Sequence, residues 1–405
     1  MSDPVPTTDA APRRPSFWLL AALTVTGVVA IHVYTPVLPA VAADLRATDA
    51  QVQLSIMVFM LSFALSQLIL GPLSDRFGRR PLVITGLVLY VGANILCALA
   101  PTIEWLIAAR AVQALGASTG GVLGRAIVRD VWDRGEMASL MGKLQIAQVL
   151  GAALAPIIGS FIAAWFDWTA GFWFLTLFAG AQLVLAFRLL PETNRYRGTR
   201  TGFLSMMKDF GTLLRSPAYL GNCLSIGFMN AMYFAFFSAA PFLLIDRLGL
   251  SPDRFGFIMM VTVGGSLTGA WVSSRYAARP WARLMMPLGV LIALSGAMII
   301  LSIGLFGETT VASVVAPLAL LGLGNGLLSP LAAAGAVSVQ PRIAGTASAG
   351  FGFVLLMLGA AGALAATQMS HDTPVDMALG MVGFCLLALL SLGLLRLEPR
   401  AGTSS

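Results

Sequence analysis

Two ionisable side chains interrupt otherwise apolar stretches of this sequence. His32 lies within VVAIHVYTPVLPAV, residues 28–41, and Arg110 lies within ARAVQALGAS, residues 109–118. An imidazole titrates near neutral pH and can exchange a proton, whereas a guanidinium stays charged and binds anions. Polar groups in the middle of a bilayer are costly and usually face a cavity or a partner. The two residues therefore predict a polar pathway through a membrane.

The composition indicates a membrane protein. Of 405 residues, 58% are hydrophobic and 11% are charged, whereas soluble domains average about 25% charged. Apolar runs of about 20 residues, the length that crosses a bilayer as a helix, recur between short polar breaks. They predict twelve transmembrane helices, at 17–39, 51–71, 82–100, 103–124, 142–164, 169–190, 218–245, 256–274, 284–305, 311–331, 344–367 and 376–395.

The distribution of basic residues predicts that both termini are cytoplasmic. The opening MSDPVPTTDAAPRRPS is polar, and the apolar run after it is too long for a signal-peptide core. With this topology, three of the 25 Lys and Arg lie outside, one lies within a span, and 21 lie in cytoplasmic segments or at cytoplasmic helix ends. This is a positive-inside bias. The net charge of +7 is therefore attributed to membrane topology and not to nucleic-acid binding.

Other classes of chemistry find no support in the sequence. Cys97, Cys223 and Cys385 fall in different spans without paired spacing, so we predict packing residues and neither a disulfide nor a metal site. No nucleophile elbow, metal-ligand cluster or phosphate-binding glycine loop is present. We therefore predict no enzyme activity, no metal and no cofactor.

The chain divides into two halves. A basic segment, PETNRYRGTRTGFLSMMKDFGTLLRSP, separates six spans from six, which predicts an N-terminal bundle at 1–190, a linker at 191–217 and a C-terminal bundle at 218–405. GPLSDRFGRR after span two is faintly repeated as GAWVSSRYAAR after span eight. The predicted fold is all-α, with twelve transmembrane helices in two pseudo-symmetric six-helix bundles. Such parallel halves enclose a substrate site near the midplane and work by alternating access.

GPLSDRFGRRPL, residues 71–82, resembles the cytoplasmic loop signature of the major facilitator superfamily. ARAVQALGAS is similar to its Arg-x-x-Gln element, and LAPIIGSFIAAWFDWTAGFWF to its antiporter signature followed by a tryptophan-rich turn. LLPET closes span six. SAAPFLLIDRLGLSPDRFGFI and AGTASAGFGFVL resemble the Bcr/CflA branch of drug-resistance exporters, which includes bicyclomycin and chloramphenicol exporters.

The resemblance implies a conformational latch at the cytoplasmic loop and close helix packing in span five. Glycines permit a tight turn, arginines anchor the inner face, and an acid accepts bonds from a nearby arginine. The expected partner of Asp75 is Arg125 or Arg129. The predicted latch comprises Gly71, Asp75, Arg76, Gly78, Arg79, Arg80, Arg125 and Arg129. The predicted antiporter-type packing residues are Gly151, Pro156 and Gly159.

In this family, spans one, four, seven and ten line the cavity, which implies a set of substrate or proton-coupling residues. The N-terminal wall would carry His32, Tyr34, Arg110 and Gln113, with His32 and Arg110 at similar depth. The other half would contribute Asn230, Tyr233 and Asn325.

The resemblance breaks at His32. The Bcr/CflA pattern has Asp-x-Tyr-x-Pro-x-x-Pro in span one, whereas this chain reads HVYTPVLP, and no Asp or Glu lies in the middle of any span. Three interpretations remain open. His32 is the proton carrier, although burial and Arg110 would favour its neutral form; or it is a neutral substrate-binding group; or it makes a structural hydrogen bond to a neighbouring helix.

The leading functional hypothesis is a monomeric, proton-linked exporter of small molecules across the bacterial inner membrane. Without an interior carboxylate, the cavity is neutral to positive and disfavours lipophilic cations, so we expect neutral or weakly anionic substrates, either drug-like or siderophore-like. The alternative is an uncoupled facilitator or an importer of a small polar solute. A membrane enzyme or sensor finds no support. The expected partners are a small-molecule substrate, protons and the lipid bilayer.

Overall fold

The computed structural model describes residues 14–194, 203–277, 279–340, 343–369 and 374–396. The described part is helical, and twelve of its helical segments are long and apolar enough to cross a membrane. This confirms the predicted all-α membrane fold. Both chain ends and residues 195–202 of the predicted linker lie outside the described residues.

The first six spans are built from seven helices. The first span is broken at Pro36 and Pro39, because proline lacks the amide hydrogen that helical bonding needs; a short 3₁₀ turn, Thr35–Val37, therefore separates its two helices. The helices are α1 (Phe17–Tyr34), α2 (Leu38–Asp44), α3 (Asp49–Phe77), α4 (Arg79–Ala98), α5 (Ile103–Val131), α6 (Arg134–Trp165) and α7 (Thr169–Leu189).

The remaining helices begin with a short linker helix. They are α8 (Phe203–Leu213), α9 (Pro217–Pro241), α10 (Pro252–Tyr276), α11 (Met285–Phe306), α12 (Val311–Val315), α13 (Leu318–Ser338), α14 (Ala344–Ala366) and α15 (Val375–Leu392). A π-helical segment, Phe242–Arg247, extends α9. Each half therefore supplies six spans.

The packing repeats between the two halves. In the first half, α5 packs on α3 and α4, and α1 packs on α6; in the second half, α13 packs on α10 and α11, and α9 packs on α14. The halves meet mainly along α3 with α14 and along α6 with α10. In the order of spans, α3 of the first half corresponds to α10 of the second, and α6 corresponds to α14. The two interfaces are therefore equivalent, as a twofold pseudo-symmetry requires.

Several helices extend past the spans predicted by hydropathy, among them α5 and α6. The predicted fourth span ends at residue 124, but α5 continues to Val131; the predicted fifth span begins at 142, but α6 begins at Arg134. Hydropathy detects only the part of a helix that lies in hydrocarbon, while a helix can extend past it into water. Arg125 and Arg129 therefore lie on a helix and not in a loop.

The two ends of the bundle carry different groups. The basic end is where α3 meets α4, at Arg76, Arg79 and Arg80. The distal end is where α2 meets α3. There, the Thr48 hydroxyl accepts a bond from the Gln51 amide, and the Gln51 side chain accepts one from the Thr48 amide, so a capping box begins α3.

Candidate transport site and latch

Arg110 is wholly enclosed within the first half, with none of its side chain exposed. Its Nη1 donates to Gln113 Oε1 at 2.5 Å and to the Ala30 carbonyl at 3.4 Å. Gln113 Nε2 then donates to Asn94 Oδ1 at 2.5 Å. Among the described residues, no carboxylate forms an ion pair with Arg110. The uncharged dipoles of Gln113 and Ala30 therefore bond only Nη1 of this buried charge, and Nε and Nη2 have no hydrogen-bond partner among the described residues.

Two aromatic rings complete the enclosure. The guanidinium carbon of Arg110 lies 4.5 Å from the Tyr34 ring centroid and 4.2 Å from that of Phe59, within cation–π range. The Tyr34 hydroxyl shares a 2.9 Å hydrogen bond with Ser55, which joins α1 to α3 beside the guanidinium. The structure thus brings Tyr34, Arg110 and Gln113 together, but inside the half and not on a cavity wall as the sequence predicted.

His32 faces the other half of the molecule. Its ring lies 5.5 Å from that of Phe237, edge to face, and 6.5 Å from that of Phe234, stacked; both belong to α9. Its Nδ1 is buried and has no hydrogen-bond partner among the described residues. The interpretation of His32 as a structural hydrogen-bonding residue therefore does not hold in this conformation, and the other two remain.

The three residues predicted in the second half have different environments. Tyr233 stacks on Phe237, with centroids 6.0 Å apart, and its buried hydroxyl has no hydrogen-bond partner among the described residues. Asn230 Nδ2 donates to the Leu355 carbonyl at 2.8 Å and so ties α9 to α14. Asn325 is half-buried and hydrogen-bonds to no residue in the described ranges. Tyr233 is thus the residue linked to His32, through Phe237.

The antiporter-like helix α6 packs on both halves. A side chain on Gly159 would collide with the backbone of Val33, and one on Gly151 would press on Val25, so these glycines admit α1. A Cβ on Gly256 of α10 would lie 2.6 Å from the Ile157 Cα and 2.7 Å from the Pro156 carbonyl oxygen. The segment around Pro156 therefore approaches the other half directly.

Further contacts between the halves lie toward the distal end. Gln53 Nε2, one turn into α3, donates to the Ser238 carbonyl at 3.3 Å, near the end of α9. The rings of Phe161 and Phe257 meet edge to face, with centroids 6.0 Å apart. With His32 against Phe237, these contacts hold the halves together on the distal side of the molecule.

At the basic end, Arg79 is the centre of an ion-pair cluster. Its Nη2 lies 2.7 Å from Asp75 Oδ1, its Nε lies 2.9 Å from Asp130 Oδ2, and its Nη1 donates to the Ser74 hydroxyl. Only 4% of the Arg79 side chain is exposed. The expectation that Asp75 pairs with Arg125 or Arg129 is wrong in this conformation, because Asp75 pairs with Arg79 at the start of α4, which also pairs with Asp130 of α5.

Glu192, from LLPET, caps the start of α4. Its carboxylate accepts bonds from the backbone amides of Arg79 at 3.0 Å and Arg80 at 3.3 Å. A negative charge at a helix N-terminus satisfies free amides and interacts favourably with the helix dipole. Asn194 Nδ2 adds bonds to the carbonyls of Ser74 and Asp75.

The remaining predicted latch residues take separate positions. Gly78 joins α3 to α4 with φ of 99°, a conformation that favours glycine, so the predicted turn is present there. Gly71 instead lies inside α3 with open space around it, so its predicted part in the turn is wrong. The Arg80 guanidinium donates to the Phe187 carbonyl at 2.7 Å, and the Arg76 guanidinium lies over Phe77.

Sequence reasoning missed Glu192, Asp130 and Asn194 as members of this cluster. LLPET and the acid in IVRD were visible, but nothing local indicated that they approach the loop after span two. The three cysteines are free and buried, as predicted.

Known proteins resemble this chain over most of its length. The sequence model described as Major Facilitator Superfamily matches residues 17–366. Multidrug resistance protein D of Escherichia coli is 31% identical over 82% of this chain and 83% of the relative. A chloramphenicol resistance protein of Pseudomonas aeruginosa is 29% identical over 93% and 88%. A bicyclomycin resistance protein homolog of Haemophilus influenzae is 27% identical over 88% and 89%.

Solved structures share the fold. The crystal structure of the peptide transporter POT in complex with sulfate superposes with a TM-score of 0.77 at 16% identity, over 98% of this chain and 96% of that one. The inward-facing, occupied bacterial homolog of the lysosomal transporter Spinster gives a TM-score of 0.74 at 16% identity, over 94% and 95%.

Proposed function

The chain belongs to the major facilitator superfamily, and from this premise we propose that it exports small molecules across the bacterial inner membrane by alternating access coupled to proton antiport. The family comprises transporters and not enzymes. The observation that carries the proposal is the position of His32, a titratable side chain seated between the two halves that must separate during transport.

The coupling step follows from that position. With the halves in contact, the His32 ring lies among Phe234 and Phe237. An apolar surrounding favours the neutral imidazole, and separation of the halves would admit water and favour the protonated form. Each opening of the distal side thus allows protonation, and each closure releases the proton.

Both ends of the molecule have a part in this cycle. The contacts at Gln53, Phe161 and Gly256 close the distal side, while Arg79, Asp75, Asp130 and Glu192 brace the basic end. We assign the basic end and both termini to the cytoplasm, on the strength of the positive-inside bias. We further propose that the protein acts as a monomer, because each copy supplies both halves of the path.

The substrate class follows from charge. The interior of the first half holds Arg110 without a carboxylate, and no acid lies mid-span anywhere in the sequence. A lipophilic cation would find no counter-charge there. Neutral or weakly anionic compounds are therefore favoured, and relatives named for chloramphenicol and bicyclomycin resistance make these two the first candidates.

Everted membrane vesicles from an efflux-deficient bacterium test the proposal. Vesicles with the protein should accumulate radiolabelled chloramphenicol or bicyclomycin when acidified inside, and nigericin, which collapses the proton gradient, should abolish accumulation. Vesicles without the protein are the control. Uptake that equilibrates either drug without regard to the proton gradient would instead show an uncoupled facilitator, which the absence of a mid-span acid also permits. Uptake of neither drug contradicts the proposed substrates.

A further inference from the structure

Arg125, on α5, takes no part in the ion-pair cluster where the sequence placed it. Within the described ranges it has no ion pair and no hydrogen bond, and no carboxylate lies close enough to interact with it. Asp75 and Asp130 both pair with Arg79. Arg125 is surrounded by protein atoms and yet exposed to solvent, so it lies in a recess of the molecule.

The direction of Arg125 follows from its neighbours along the helix. One turn earlier, Gly121 lies near the Thr24 carbonyl of α1, at 4.0 Å from an added Cβ. Two turns earlier, Ser118 accepts a 2.6 Å hydrogen bond from Ser66 of α3. At 100° per residue, Arg125 lies between these two directions. Its side chain therefore points into the gap between α1 and α3.

That gap opens toward the second half. The two helices are joined near the distal end by the bond between Tyr34 and Ser55 and further along by the Phe63 ring against Gly27, but their backbones are not in close contact along their length. Both face the second half: α1 contacts α9 through His32, and α3 packs along α14. The recess of Arg125 is thus part of the space between the halves, not of the lipid-facing surface.

The depth of Arg125 is fixed by contacts between α5 and α1. Arg110 bonds to Ala30, whereas Gly124 lies against Thr24 and Leu20, nearer the basic end. Arg125 lies 15 residues along α5 from Arg110, which is about 22 Å at the helical rise of 1.5 Å per residue. It therefore lies nearer the basic end than Arg110 does.

We propose that Arg125 is the docking group for the acidic end of an anionic substrate that enters between the halves from the basic end. This deepens the proposed function and rests on it, because it adds small amphipathic weak acids to the exported compounds. A guanidinium binds carboxylates and related oxyanions through paired, charge-assisted hydrogen bonds. An arginine in a recess without a counter-ion offers all its donors to such a ligand.

The test uses two ligands that differ by one acidic group, chloramphenicol and chloramphenicol hemisuccinate. Equilibrium binding of each is measured on the purified full-length protein in lipid-free detergent, for wild type, Arg125→Gln and Arg125→Lys. Arg129→Gln is the matched control, since Arg129 is exposed on the same helix one turn away. A further arm adds phosphatidylglycerol, because a lipid phosphate presents the same oxyanion chemistry.

Wild type should bind the hemisuccinate about tenfold more tightly than chloramphenicol, as expected for a charged hydrogen bond in a sheltered site. Arg125→Gln should remove this preference and leave chloramphenicol binding unchanged, while Arg125→Lys keeps part of it and Arg129→Gln keeps all. Phosphatidylglycerol should have no effect.

Four results would overturn the inference. If wild type binds chloramphenicol but shows no preference for the hemisuccinate, the inference about Arg125 is contradicted, and the proposed function is not affected. If Arg125→Gln weakens the binding of both ligands equally, and Asp75→Asn does the same, then Arg125 is a latch residue. Displacement of the hemisuccinate by phosphatidylglycerol from wild type would assign Arg125 to a lipid. Binding of neither ligand would remove the proposed drug substrate and this inference together.

Discussion

His32 and Arg110 lie on opposite sides of α1. The Ala30 carbonyl and the Tyr34 ring face Arg110 within the first half, while His32, between them in sequence, faces Phe237 of the second half. Residues two apart on a helix differ in direction by about 200°. Arg110 and His32 are thus separated by the backbone of α1. His32 can change its environment when the halves separate, while Arg110 stays enclosed.

Replacement of His32 should abolish proton release. In weakly buffered detergent solution, wild type should release about one proton per bound chloramphenicol between about pH 6 and 7, where an imidazole titrates. His32→Asn should bind without release, and His32→Asp should move release to lower pH. A pH-indicator dye measures the protons. Unchanged release in His32→Asn would place coupling at another residue.

Loss of Arg79 should destabilise the basic end. Arg79→Gln leaves the partly exposed Asp75 and Asp130 carboxylates without their shared cation, and losing hydrogen bonds to charged groups costs about 1.5–3 kcal/mol. The melting temperature of the detergent-solubilised protein should fall accordingly. Arg188→Gln, an exposed arginine at the same end, is the control and should melt as wild type.

A double-mutant cycle tests the same ion pair without relying on folding alone. The double variant Arg79→Gln, Asp130→Asn should lose less free energy of unfolding than the sum of the losses in the two single variants, because the two residues act as a unit. Strict additivity would show that the ion pair at 2.9 Å contributes nothing to stability.

Removal of the Glu192 carboxylate should loosen the start of α4. Glu192→Ala leaves the amides of Arg79 and Arg80 without their acceptor, a loss of about 1 kcal/mol for a helix cap. Hydrogen exchange should quicken at the first turn of α4 and stay unchanged at its far end, near Cys97. Glu192→Gln, which keeps an acceptor oxygen, should show a smaller change. Equal exchange in all three proteins would contradict the capping role.

A side chain at Gly256 should hold the distal side open. Gly256→Leu forces α10 away from Pro156 and Ile157 of α6, where even a Cβ has no room. Cysteines replacing Phe161 and Phe257 should then crosslink poorly compared with the same pair in a Gly256 background. Gly264→Leu, on the same helix with open space around the glycine, is the control and should crosslink normally. Efficient crosslinking in Gly256→Leu would show that the halves adapt elsewhere.

Much of this protein follows from local sequence. Hydropathy and charge distribution predicted twelve spans, because crossing hydrocarbon requires about 20 apolar residues whatever the neighbours are. GPLSDRFGRR predicted the turn at Gly78, since positive φ is a local property. The pairing of Gln113 with Arg110, three residues apart on one helix, is likewise readable from spacing.

Tertiary structure decided which side chain meets which across helices. The sequence alone could not show that Asp130 and Glu192, 51 and 113 residues from Arg79, join it at the basic end. Nor could it tell that Arg110 is enclosed by Tyr34 and Phe59 while Arg125 is left in a recess, although both are arginines on one helix. Hydropathy gives the depth of a residue in the membrane, but its direction depends on helix rotation, and that is set by packing against neighbours such as Gly120 on Leu23.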